Sequence, residues 1–128
     1  MSKVTYEGAI KAAGAPYSPA VEANGFVFVS GQVPLDPETR AIVPGGIEEQ
    51  AKQVLSNLVN VLAAAGCKPE DVVRTTVYLA DISTWGTVNG IYAQVFPSAP
   101  PARTAFAVAA LPFGAEIEID AIAAKPVG

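Results

Sequence analysis

The chain has 128 residues, 51% of them apolar, which matches one ordinary domain with enough hydrophobic mass for its own core. Twelve acidic residues outweigh eight basic ones for a net charge of −4, so the positive field that a nucleic acid or an anionic membrane surface calls for is missing. There is no histidine and only one cysteine, which excludes Ser-His, Cys-His and His-metal machinery and leaves carboxylates, arginines, hydroxyls and backbone.

No apolar stretch approaches the roughly 20 residues of a membrane span. The segment Met1-Ser2-Lys3-Val4-Thr5-Tyr6-Glu7 lacks the apolar core of a signal peptide. The expectation is a cytoplasmic chain with a single domain over residues 1–128.

In chain order, Ser18 to Ser30 reads as a β-hairpin, because Asn24-Gly25 tolerates the two positive φ angles of a tight primed turn. Its second strand, Phe26-Val27-Phe28-Val29, is apolar at every position and predicts burial on both faces. It runs into Ser30-Gly31-Gln32, where glycine lets the backbone approach something closely. Asp36-Pro37-Glu38-Thr39 is a turn, and Gly45-Gly46 precedes the first helix.

From Ile47 to Ala65 the positions Ala51, Val54, Leu55, Leu58, Val59, Leu62 and Ala65 fall at helical spacing, with Lys52, Gln53, Ser56, Asn57 and Asn60 opposite. Gly66 terminates this helix, with Pro69 beyond it. Cys67 follows directly, has no disulfide partner in the chain and reads as structural. Val72 to Leu79 is rich in β-branched residues and predicts a strand.

A second helix is expected over Thr84 to Phe96, stopped by Pro97, with Trp85, Val88, Tyr92, Val95 and Phe96 as its buried stripe and Asn89 on the face of Trp85 and Tyr92. Strands at Arg103 to Ala109 and Glu116 to Ala123, joined by a turn at Pro112-Phe113-Gly114, complete the set. The order of elements suits an α+β fold, a single sheet with both helices on one face. In the first of these two strands Arg103, Ala105, Ala107 and Ala109 share a face built almost wholly of methyl groups, suited to close contact with another chain.

Two groups carry chemical promise. Arg103 presents a planar fork of donors that matches a carboxylate; by spacing alone it either pairs with Asp120 or Glu116 or receives a ligand. Glu116, Glu118 and Asp120 alternate along the last strand, as the wet side of an edge strand would, or with Glu118 raised in pKa by its neighbours and able to exchange a proton. Tyr17 sits in the rigid Pro16-Tyr17-Ser18-Pro19, as a lid over the core or over a pocket.

Assembled, the stretches Pro16-Tyr17-Ser18-Pro19-Ala20-Val21, Phe28-Val29-Ser30-Gly31-Gln32-Val33-Pro34-Leu35-Asp36-Pro37, Asp71-Val72-Val73-Arg74-Thr75-Thr76-Val77-Tyr78-Leu79, Pro101-Ala102-Arg103-Thr104 and Glu118-Ile119-Asp120-Ala121-Ile122-Ala123 resemble the Rid family, also called YjgF, over nearly the whole chain. The resemblance implies a chorismate-mutase-like fold assembled as a homotrimer with ligand clefts between subunits. It also implies hydrolysis of reactive 2-imino or enamino acids, such as 2-aminoacrylate, to 2-oxo acids and ammonia without a cofactor or metal. Carried over by motif, Arg103 clamps the substrate carboxylate, Glu118 activates water and protonates the departing nitrogen, and Tyr17, Ser30, Gly31 and Asn89 line the site. The chain departs from the family's pattern at Ala105, where many members have cysteine or a larger residue, at Trp85, often phenylalanine, and at Phe113, often basic. A non-catalytic trimeric sensor of small carboxylic acids is the alternative; an endoribonuclease, attached to some relatives, is poorly served by an acidic chain without histidine.

Overall fold

A computed structural model describes residues 2–7 and 14–127. Six strands, β1 (Val4–Tyr6), β2 (Ala20–Ala23), β3 (Phe26–Gln32), β4 (Val72–Leu79), β5 (Ala102–Ala107) and β6 (Ile117–Ala124), form one sheet in the order β1-β2-β3-β6-β4-β5. Only β4 and β5 run parallel; every other pairing is antiparallel. The parallel pair is the one whose connection contains a helix, α2 (Trp85–Val95), as a crossover requires. The longer helix α1 (Gly46–Ala64) packs on α2, β3 and β6.

Local chemistry explains the boundaries. Asn24 and Gly25 turn the β2–β3 hairpin with φ of 54° and 80°, both positive as the dipeptide predicts. At the end of α1, Gly66 takes φ 80°, its N–H donates to the Ala63 carbonyl and that of Cys67 to the Leu62 carbonyl. This paired closure satisfies carbonyls the last turn would otherwise orphan. Asp81 starts the turn into α2 by accepting the Ser83 N–H at 2.9 Å.

The core lies between the helices and one face of the sheet. Val54, Leu55, Leu58 and Leu62 of α1 meet Val27 and Val29 of β3, Val77 and Leu79 of β4, and Ile117 and Ile119 of β6, all buried. Each such side chain contributes about 1.5–3 kcal/mol relative to exposure.

Four sequence expectations change. Phe26 and Phe28 are 43% and 45% exposed, because α1 covers the opposite face of β3 and leaves theirs open. Asn57 is buried rather than on the wet side of α1, and Val61 joins the core stripe. Trp85 is 41% exposed while Ile91 takes the interior place on α2, since Trp85 stands at the helix start, past the edge of the core. The methyl face is split: Arg103 and Ala105, in register with buried Thr75 and Val77, lie half-buried on the helix side, while Ala107 is exposed and Ala109 falls beyond the end of β5. Strand β1, which the sequence reading left out, is held by Tyr6 donating to Glu22 at 2.6 Å and by Lys125 pairing with the same carboxylate at 2.8 Å.

Candidate functional site

Glu118 lies on the open face of β6, in register with Tyr78 of β4. Beside it, the β3–β6 ladder slips between Val29 and Gln32, so that Ser30 and Gly31 form a bulge. Bulges re-aim side chains and are common beside active sites. Here the bulge brings the Gly31 backbone against the Glu118 carboxylate so closely that a Cβ on Gly31 would overlap its Oε2. Glycine is required at this position by close approach, as read from the sequence.

A cavity of about 340 Å³ opens over this carboxylate. Tyr17, Ser30, Gly31 and Glu118 line it, with Val33, Pro112 and Phe113 as an apolar wall. Phe113 is aimed there by a left-handed backbone, φ 62°. Ser30 spends its hydroxyl proton on the Ser18 carbonyl at 2.6 Å, which leaves only lone pairs to face the cavity. Desolvation first, and repulsion by Asp120 second, raise the Glu118 pKa above its ordinary 4.5. Asp120 accepts the Tyr78 hydroxyl at 2.7 Å, an interaction that pushes that phenol up as well.

Arg103 stands elsewhere. From the edge strand β5 it projects to the helix side, where its guanidinium carbon lies 5.0 Å from the centroid of the Trp85 ring and 4.8 Å from that of Tyr92. Asn89, half-buried, lies on the same α2 face between these two aromatics. Neither acid considered as a partner reaches Arg103: Asp120 holds Tyr78, and Glu116 accepts the Gln50 amide at 3.2 Å. Among the described residues Arg103 makes no ion pair and no hydrogen bond. The six site residues therefore form two groups, Tyr17, Ser30, Gly31 and Glu118 on one side of the sheet and Arg103 and Asn89 on the other, which one chain does not bring together.

Two supporting residues were missed. Asn57 donates to the carbonyls of both Val33 and Leu35 at 3.0 Å and accepts from Gln53 at 2.8 Å, pinning to α1 the segment that supplies the cavity wall. Gln50 clasps Glu116, its amide oxygen taking the backbone N–H at 2.8 Å. Their signal was present, because 50, 54, 57 and 61 are spaced along one helical face and Val54 and Val61 are plainly apolar. Cys67 is buried, and that burial pushes its thiol up, which suits a packing role and not a nucleophile. No group of three or more His, Cys, Asp or Glu side chains converges as a metal site among the described residues.

The family description Endoribonuclease L-PSP matches residues 7–125. The chain belongs to this family, the Rid or YjgF family. A Mus musculus relative, 2-iminobutanoate/2-iminopropanoate deaminase, is 53% identical over 86% of this chain and 82% of its own length. Among solved structures, yeast Mmf1 superposes with a TM-score of 0.92 at 36% identity, covering 98% of this chain and 100% of that one. Escherichia coli TdcF with bound serine gives 0.89 at 34% identity, covering 96% and 99%. The α+β architecture is thus that of the Rid family. In chemical terms, this Rid chain carries a carboxylate of raised pKa in a half-apolar cavity and a guanidinium whose donors are unspent among the described residues.

Proposed function

We propose that this protein hydrolyses 2-imino acids, and the enamino acids that tautomerise to them, to 2-oxo acids and ammonia, in a homotrimer whose sites take Arg103 from one protomer and Glu118 from its neighbour. The single observation that carries the reading is the guanidinium fork of Arg103, which an acid would normally occupy and which no described residue does. The curated deaminase relatives at about half identity support the same chemistry.

In the reaction, Arg103 holds the substrate carboxylate in two parallel hydrogen bonds and so fixes the C=N carbon over Glu118. The ionised Glu118 takes a proton from water as its oxygen adds to that carbon. That proton passes to nitrogen to give the carbinolamine; Glu118 then takes the proton of the added hydroxyl and delivers it to nitrogen as the C–N bond breaks, so ammonia leaves, a carbonyl remains and one water is consumed. The raised pKa of Glu118 suits a group that must both accept and return a proton. Tyr17 and Gly31 complete the lining beside Glu118, Asn89 would join from the protomer that supplies Arg103, and Ser30 contributes acceptor lone pairs.

A binder of small carboxylic acids is the second reading, favoured by the serine held in TdcF. The family description names a ribonuclease, but a chain of net charge −4 without histidine offers neither the field nor the acid–base pair for RNA cleavage. The deciding assay generates 2-aminoacrylate in situ with a serine dehydratase and follows 2-oxo acid release. The native protein is expected to exceed the spontaneous rate, Arg103→Ala and Glu118→Ala to fall to it, and Glu118→Ala to keep its affinity for 2-oxobutanoate. A native protein that binds 2-oxobutanoate yet adds nothing to the rate is a sensor.

A further inference from the structure

Arg103 is fixed by ring faces and by nothing else among the described residues. Tyr92 is itself anchored, its hydroxyl sharing a 2.7 Å hydrogen bond with buried Thr75 Oγ1 and its ring tilted against Phe96 at 4.7 Å between centroids. Trp85 is different. It stands at the first position of α2, is 41% exposed and has no part in the core, so its bulk is not accounted for by packing.

Ring faces and acids hold a guanidinium in different ways. A carboxylate partner consumes N–H donors and cancels the charge, so that an arriving anion must displace it. An aromatic face attracts the cation through its quadrupole and takes no hydrogen bond, leaving the whole fork and the positive charge available. Two rings at 5.0 and 4.8 Å restrict a side chain that otherwise loses considerable rotamer freedom on binding.

We propose that Trp85 is a positioning residue for substrate recognition, holding Arg103 in place with Tyr92 so that its donors meet the ligand's carboxylate already ordered. The inference rests on the reading of Arg103 as the carboxylate clamp. Because the carboxylate is gripped equally before and during reaction at the C=N carbon, Trp85 acts on affinity more than on turnover. Being the only tryptophan in the chain, it also makes intrinsic fluorescence a direct report of occupancy at Arg103.

The test uses the intact assembly with 2-oxobutanoate as probe, alongside the aminoacrylate assay. Trp85→Ala is expected to raise the calorimetric Kd and the KM about 2- to 30-fold, the span of an aromatic–cation contact, with kcat near native. Trp85→Phe, which keeps a ring face, restores most of the affinity, a rescue that a merely structural role would not tie to aromaticity. In the native protein the fluorescence shifts with saturation matching calorimetry, and in Arg103→Ala it does not. Native affinity in Trp85→Ala, or fluorescence indifferent to calorimetrically proven binding, overturns the role of Trp85 while leaving Arg103 as the clamp. Native binding and turnover in Arg103→Ala overturn the clamp itself and the inference with it.

Discussion

Glu118 combines two environments that favour its protonated form, burial over the Gly31 bulge and the charge of Asp120 on the same strand face. The folded protein therefore holds this proton more tightly than the unfolded chain, whose carboxyl titrates near 4.5. Stability contributed by the bound proton is lost as pH rises from 4.5 through the raised value, and above it the folded chain carries a partly desolvated carboxylate beside Asp120. Glu118→Gln removes that cost, so its Tm is expected to exceed the native one at pH 7 and to converge with it below the ordinary carboxylate range. With Glu118 as the proposed base, the same shift is expected to place the acid limb of the native pH–rate profile above 4.5, and Glu118→Gln to show no catalysed rate at any pH. Calorimetry at two pH values and a pH–rate series check both halves. A stabilised but inactive variant is the signature of a group kept for chemistry against the interest of the fold.

At the scale of elements, the cavity depends on how α1 grips the chain that leaves β3. Asn57 alone satisfies the Val33 and Leu35 carbonyls from the helix, and Asn57→Ala leaves both without that donor. The expected loss is about 1–3 kcal/mol in urea unfolding, with a drop in turnover as the Val33 wall loosens. Such polar staples were hard to see in the sequence, since a helix read by its apolar periodicity assigns Asn57 to solvent, and only the burial of its neighbours Val54 and Val61 corrects it. The regular parts were legible for a matching reason: Asn24-Gly25, Gly66 and the β-branched run of β4 act through backbone sterics within a few residues. Face assignment on β5 was not local. Its alternation was read correctly, but which side meets the helices is decided by register against Thr75 and Val77, each 28 residues away in sequence, which spacing within one strand does not contain. For the site, Glu118, Gly31 and Tyr17 were placed together by motif and meet at one cavity, whereas the aromatic support of Arg103 emerged only when α2 was laid beside β5.

For the whole molecule the sheet poses a problem of coverage. Its open face presents Phe26, Phe28 and Phe106, each more than two-fifths exposed, and Tyr78 packed edge-on against Phe106 at 5.5 Å. An antiparallel sheet can face water on one side, but with polar residues rather than phenylalanines, so a second copy of the chain is the fitting cover. The same face carries Glu118, and Arg103 points the other way from the sheet's edge, so the proposed site would make assembly and catalysis a single requirement. If each site draws Arg103 from one protomer and Glu118 from the next, Arg103→Ala and Glu118→Ala are each inactive alone yet complement when co-assembled. In every mixed trimer one of the three sites combines an unmutated arginine on one side with an unmutated glutamate on the other, so activity should recover to about a third of native. Co-expression with two affinity tags isolates the mixed assemblies, and the aminoacrylate assay reads them. Were both residues drawn from one chain, no mixture would contain an intact site and the rate would stay at background, whatever the oligomeric state.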